Sequence, residues 1–341
     1  MESKGQTFND VLFVPQYSEI EHRREISTTT NMGQFNLSLP IISANMKDVT
    51  GPKMVVEMFK AGGLGILHRF NTIEENVEDF FIAKKYLEHD PQGHLWAFDF
   101  GVSVGVVDYE RTRFNELYRV GARLFTVDVA HGHHILVKNM LDYMRKKAGD
   151  EICIIAGNVA TTSGAKDLKE WGADIIKIGI GPGSCCVTRR NTGVGVPQLK
   201  AIRDINHECP DILIISDGGI KHYGDIPKAL KYSNAVMLGS LLAGTSETPG
   251  HVYENEEEEH YKVYGGSSSG ERKIENGRDN AFIEGVVKTV KFKGKVKYIL
   301  RKAKESLQSS MSYSGANNLA LFRKMAILED IGSGAKSESR L

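Results

Sequence analysis

Apolar residues along this chain gather in short, nearly unbroken runs separated by longer amphipathic stretches. The runs cover 40–44, 64–68, 102–105, 124–128, 152–156, 175–178, 212–216 and 235–238. Strands buried on both faces read in this way, because neither face alternates with solvent. The intervals are long enough for a helix and two loops each. Eight such repeats predict an α/β protein built as a closed (β/α)8 barrel. An open doubly wound sheet shares the same local pattern. The polar residues favour closure: Asn45, His68, Asp128, Asn158, Cys186 and Asp217 all stand where a run ends or just beyond it. In a barrel those ends share one rim, and active sites form there.

Punctuation supports the helices. The basic stretch 142–147 stops at Gly149, and a helix that opens near Thr162 closes at Gly172. Residues 1–39 read as an N-terminal arm, and 40–330 as a single barrel domain. Within that domain, 251–264 reads as a hairpin whose acidic tip starts at Glu254. Residues 265–297 begin Gly-Gly-Ser-Ser-Ser-Gly and read as a flap at the rim. Residues 298–330 return to helix, and 331–341 read as a disordered tail.

Composition narrows the functions. The chain has 341 residues, 41% hydrophobic and 25% charged, which are ordinary globular values. Its 43 basic side chains balance 43 acidic ones, so nothing points to nucleic acid or an anionic membrane as partner. No apolar run is long enough to span a membrane, and Met1-Glu2-Ser3-Lys4-Gly5 does not open a signal peptide. The four cysteines, Cys153, Cys185, Cys186 and Cys209, include an adjacent pair and lack zinc spacing. A reducing, cytoplasmic setting fits them.

Three constellations carry candidate chemistry. The sixth run feeds Gly179-Ile180-Gly181-Pro182-Gly183-Ser184-Cys185-Cys186-Val187-Thr188, a glycine-rich loop that presents a thiol and a hydroxyl. Glycines there permit positive φ and close approach to a ligand. A thiolate adds readily to an electrophilic carbon. Cys186 is the candidate nucleophile and Thr188 a proton relay, although spacing alone does not separate Cys186 from Cys185. The seventh and eighth runs end in Asp217-Gly218-Gly219 and Leu238-Gly239-Ser240. Loops after strands seven and eight of a barrel commonly hold phosphate through backbone N–H groups. Asp217 is placed to accept hydrogen bonds from ribose hydroxyls. A nucleoside monophosphate or a sugar phosphate fits such a cradle. The third is Asp128-Val129-Ala130-His131-Gly132-His133-His134. Its histidines raise the question of metal, but no matching ligand set appears elsewhere, so a cofactor-contacting rim loop is the preferred reading.

The loop at 179–188, followed by Gly193-Val194-Gly195-Val196-Pro197-Gln198, resembles the signature of the IMP dehydrogenase and GMP reductase family. The resemblance extends through Ser43-Ala44-Asn45-Met46, Asp128-Val129-Ala130-His131-Gly132, Ala156-Gly157-Asn158-Val159, Asp217-Gly218-Gly219 and Met237-Leu238-Gly239-Ser240, to Tyr313-Ser314-Gly315-Ala316. It implies a barrel that binds GMP or IMP and forms a thioimidate between Cys186 and purine C2. It further implies a monovalent cation, K+, on the carbonyls of Gly181, Gly183 and Cys186, and assembly as a homotetramer. The substrate side would use Ser184, Asp217, Gly218, Gly219, Gly239, Ser240, Gly265, Gly266, Ser267 and Gly285. NADPH would contact His22, Arg23, Phe70, Asp128, Val129, Ala130, Ile180 and Gly181.

Within the family, the chain looks more like the reductases. The interval from Leu67 to Val102 leaves no room for the regulatory domain pair that dehydrogenases usually carry. The water-activating Arg-Tyr pair of the dehydrogenase flap has no counterpart, since 265–297 contain no tyrosine and Arg278 precedes Asp279. Stretches 283–294 and 308–313 resemble GMP reductases, and by that resemblance Glu284 joins Thr188 in the proton relay. Arg69 stands where many reductases have lysine. The alternative is an IMP dehydrogenase without its regulatory pair.

Overall fold

The computed structural model describes residues 5–88, 98–266, 283 and 285–338. Eight parallel strands close into a barrel. In chain order they are Ile41–Ser43, Leu64–Leu67, Phe100–Val104, Leu124–Asp128, Cys153–Val159, Ile175–Ile178, Leu213–Asp217 and Ala235–Leu238. The ring closes where Val236, Met237 and Leu238 pair with Ile41, Ile42 and Ser43. All eight sequence runs are therefore barrel strands, and the open-sheet alternative is excluded. Both faces of these strands are covered, which is why their apolar residues run without a break.

Helices on the outside follow local chemistry. Pro52, which lacks an amide hydrogen, occupies the first turn of Pro52–Lys60. The His134 ring caps Ile135–Ala148 by accepting from the Leu136 amide, and Gly149 ends that helix. Thr161 caps Thr162–Glu170 through the Gly164 amide.

The periphery departs from the sequence reading. The arm packs into the core through Phe8, Val11, Ile26, Met32, Leu37 and Leu39, all buried. Residues Val11–Val14 pair antiparallel with Ile327–Asp330. Hence 298–330 are not helical throughout. Helices Val296–Tyr313 and Leu319–Met325 give way to that strand. The tail read as disordered contains a helix, Ser333–Glu338, tied back by an ion pair between Lys336 and Asp10. These pairings join residues over 300 positions apart, and no local pattern reports them. The hairpin at 251–264 forms from Tyr253–Glu254 and His260–Gly265, and Val287–Lys291 adds a third strand to it. Part of the stretch read as a flap is thus strand, because the backbone of His260–Gly265 offers a second edge.

Candidate active site

The C-terminal rim of the barrel opens on a cavity of about 590 Å³ lined by residues from most of the strand ends. Its floor is the loop after the sixth strand. Gly179 (φ 154°) and Gly181 (φ 84°) start that loop. A Cβ on Gly179 would lie 2.0 Å from the Asp217 carbonyl oxygen, so only glycine lets the sixth and seventh strand ends meet there. The loop then turns back, with the Cys186 amide donating to the Gly183 carbonyl at 3.0 Å.

This turn separates the two cysteines. Cys185 is 3% exposed, its thiol sits 3.8 Å from the Tyr264 carbonyl oxygen, and burial pushes its pKa up. Cys186 is half-buried and lines the cavity, with its sulfur 3.0 Å from Thr188 Oγ1. Both cysteines border the cavity, and Cys186 is the more exposed of the two and the one beside Thr188. Around it, Cys186 bridges to Gly285, the Val286 amide donates to the Cys185 carbonyl, and Asn191 donates to the Ile283 carbonyl. Glu284, Ser267 and Arg278 lie outside the described residues.

On one flank the cavity meets Ser184, Asp217, Gly218, Gly266, Gly285 and Met237. Asp217 is 22% exposed, and its Oδ2 accepts from Asn158 at 2.8 Å and from Lys177 at 3.0 Å. Gly218 (φ 88°) packs against Pro182 and the Gly183 amide, which brings two loops together. Gly219, Gly239, Ser240 and Gly265 stand beside this flank and do not line the cavity itself. The Gly265 amide is already engaged by Asp48 Oδ2 at 2.9 Å, and the Ser240 carbonyl by Lys293 at 2.7 Å. Tyr264 lines the cavity, and sequence reasoning missed it. Its hydroxyl lies 3.4 Å from Ser184 Oγ, and a Cβ on Gly239 would come within 2.9 Å of it. It sits in the strand His260–Gly265 of the three-stranded sheet, outside any barrel strand, so strand-end counting could not find it.

The cavity is also lined by Phe70, Asp128, Val129, Ala130, Ile180 and Gly181. The Arg69 guanidinium lies 5.0 Å from the Phe70 ring centroid, and Arg69 donates to the Asp128 carbonyl at 3.3 Å. Burial alone would raise the Asp128 carboxyl, but the charges of Lys177 and then Arg69 outweigh it and hold the group below its usual range. Asn45 also lines this cavity, and its side chain helps to hold the Asp128 carboxyl down. His22 and Arg23 do not line this cavity. Arg23 instead bonds Ser309 Oγ at 2.9 Å and stacks on Tyr313.

His133 pairs with Asp167 at 2.6 Å and His134 is the helix cap. Among the described residues, no cluster of His, Cys, Asp and Glu side chains is arranged to hold a metal ion. A cation in the nucleophile loop would therefore rest on backbone oxygens. The Gly183 carbonyl, with one lone pair on the Cys186 amide, keeps a second.

Residues 5–341 match the family described as "IMP dehydrogenase / GMP reductase domain". The chain is 35% identical to the inosine-5'-monophosphate dehydrogenase of Cryptosporidium parvum, with 98% of this chain and 94% of the relative covered. It is also 35% identical to the GMP reductase of Ligilactobacillus salivarius, covering 93% and 94%. A crystal structure of a cysteine-to-alanine variant of GMP reductase from Trypanosoma brucei, in complex with guanosine 5'-monophosphate, superposes with a TM-score of 0.89 at 27% identity, over 99% and 98% of the two chains. With a barrel rim that presents a half-buried thiol beside a carboxylate-and-glycine flank, and with these matches along almost its whole length, the chain belongs to the IMP dehydrogenase/GMP reductase family.

Proposed function

We propose that the protein is a GMP reductase, converting GMP, NADPH and two protons into IMP, ammonium and NADP+. The observation that carries this reading is the 3.0 Å contact between Cys186 sulfur and Thr188 Oγ1 at the cavity floor, with Asp217 and Gly218 on the adjoining wall. The solved relative bound to guanosine 5'-monophosphate supports a purine nucleotide in that cavity.

Asp217 accepts the ribose hydroxyls, and the Gly218–Gly219 and Gly239–Ser240 turns, with Ser184 and Tyr264, receive the phosphate. Cys186 adds its sulfur to purine C2. The exocyclic amine is a poor leaving group until protonated, and Thr188 with Glu284 delivers that proton. The C–N bond then breaks, ammonia departs and a thioimidate to Cys186 remains. NADPH, when bound against Phe70, Asp128, Val129 and Ala130, supplies a hydride to C2. The C–S bond breaks, and the sulfur recovers its electron pair. Residues lining the cavity must keep water from C2 meanwhile, since hydrolysis of the thioimidate would yield XMP. The absence of tyrosine from 265–297 fits that need. The loop carbonyls of Gly181, Gly183 and Cys186 fit a monovalent cation such as K+, which would stiffen the nucleophile's loop. A homotetramer is the expected assembly. All four cysteines are free, which suits the cytoplasm, and no helix among the described residues is long and apolar enough to cross a membrane.

The Cryptosporidium parvum relative supports a second reading, oxidation of IMP to XMP with NAD+. One pair of assays separates the two. Loss of NADPH absorbance with ammonia release on GMP is the expected result, and NADH formation on IMP would replace it under the second reading. Cys186→Ala should bind nucleotide yet lose turnover by on the order of 10⁴-fold or more. Retained turnover in that variant would sink both readings.

A further inference from the structure

The sixth strand, Ile175–Ile178, carries one charged residue among apolar ones, and that residue is buried. Lys177 is 3% exposed. A lysine in the wall of a barrel core is costly unless its charge is paired and its hydrogens are all bonded. Here both conditions hold. Its ammonium donates to Asp128 Oδ1 at 2.7 Å, to Asp217 Oδ2 at 3.0 Å and to Asn158 Oδ1. Three donors meet three acceptors, so none is left for a ligand.

The register explains how one side chain reaches both carboxylates. Asp128, Gly157 and Lys177 stand level on the fourth, fifth and sixth strands. A Cβ on Gly157 would sit 2.7 Å from Lys177 Cβ. Because residue 157 has no side chain, Lys177 can cross over the fifth strand to Asp128. It also reaches the seventh strand through Asp217. Both acids line the cavity, and each is about one-fifth exposed.

We propose that Lys177 is a positioning residue: by bridging Asp217 and Asp128 it orders the acceptors for the nucleotide and for the dinucleotide at once, its own donors being spent on protein oxygens. This rests on the reading above, in which Asp217 serves the nucleotide and Asp128 the dinucleotide. Without the ammonium, two carboxylates sharing one rim would repel and turn away from their hydroxyl partners.

Calorimetric titration of GMP and NADPH, each into Lys177→Met, Asp217→Asn and Asp128→Asn, tests it. Asp217→Asn should weaken GMP only and Asp128→Asn should weaken NADPH only. Lys177→Met should weaken both, each by about tenfold, although its ammonium donors are already taken by protein acceptors. A merely structural role would lower the active fraction and leave both constants in place. The charge-balanced double variant, Lys177→Met with Asp128→Asn, guards against simple misfolding. Its GMP constant should return toward the wild-type value, because no second carboxylate is left to repel Asp217, and its NADPH constant should match that of Asp128→Asn. If wild-type protein binds both ligands and Lys177→Met shifts one constant or neither, the lysine's role is overturned while the assigned activity stands. If wild-type protein binds neither ligand, the activity falls and this inference with it.

Discussion

Two adjacent thiols of one loop have opposite prospects, and the difference is burial rather than sequence. Cys185 is packed under Tyr264 with its pKa raised, whereas Cys186 faces the cavity beside Thr188. Cys185→Ala should therefore retain most turnover, and Thr188→Ala should lose about 10²-fold or more in kcat with nucleotide affinity little changed. Steady-state kinetics on the two variants check this, and a larger loss from Cys185→Ala would reverse the roles assigned. Spacing left this choice open because both residues follow the same glycines. Lys177 was legible in principle, as the lone charge in an otherwise apolar strand, but only register shows what it bridges. Asp128 carries a pH consequence. Burial pushes its carboxyl up, yet Lys177 and Arg69 together hold it below the usual carboxylate range. A group depressed in the folded state stabilises fully above its unfolded value of about 4 and loses that share as pH falls through the folded value. Urea midpoints should decline from about pH 5 to pH 3, and more shallowly in Asp128→Asn. Equal slopes would remove Asp128 from the acid response.

At the scale of elements, the site depends on loops pressed together at strand ends. Gly179 is the tightest such point, since a methyl group there would collide with the Asp217 carbonyl at 2.0 Å. Gly179→Ala should shift the sixth and seventh strand ends apart, cost about 1–3 kcal/mol or more, and raise the KM for nucleotide along with it. Thermal melts and kinetics on the same preparation test both; unchanged values would mean the loop yields without cost. The Gly-rich loop and its cysteine stood out in the sequence because glycine clusters after apolar runs are rare outside tight turns. Tyr264 did not, because its strand belongs to the appended hairpin sheet and reaches the rim only through tertiary packing. The arm residues His22 and Arg23 show the reverse case. Resemblance assigns them to the cofactor, yet neither lines the rim cavity of the same chain, and Arg23 meets Ser309 and Tyr313 instead.

For the whole molecule, the barrel was legible because eight parallel strands buried on both faces leave eight unbroken apolar runs. Closure was harder to read, since the pairing of Val236–Leu238 with Ile41–Ser43 joins distant parts of the chain. The core has little tolerance for voids. Phe125 is fully buried and meets Phe114 edge-on with ring centroids 4.9 Å apart. Phe125→Ala should cost about 3–5 kcal/mol, read from denaturant midpoints, and a loss under about 1 kcal/mol would mean that the surroundings collapse into the gap.

The pairing of Val11–Val14 with Ile327–Asp330 has a bearing on how the protein is made. The opening strand leaves the ribosome almost a full chain length before its partner is translated. Until then the nascent polypeptide carries an unzipped ribbon whose free edge can recruit strangers. A stalled or prematurely terminated product would keep that edge open for as long as it survives, so quality control should recognise shortened chains by their beginning rather than by their end.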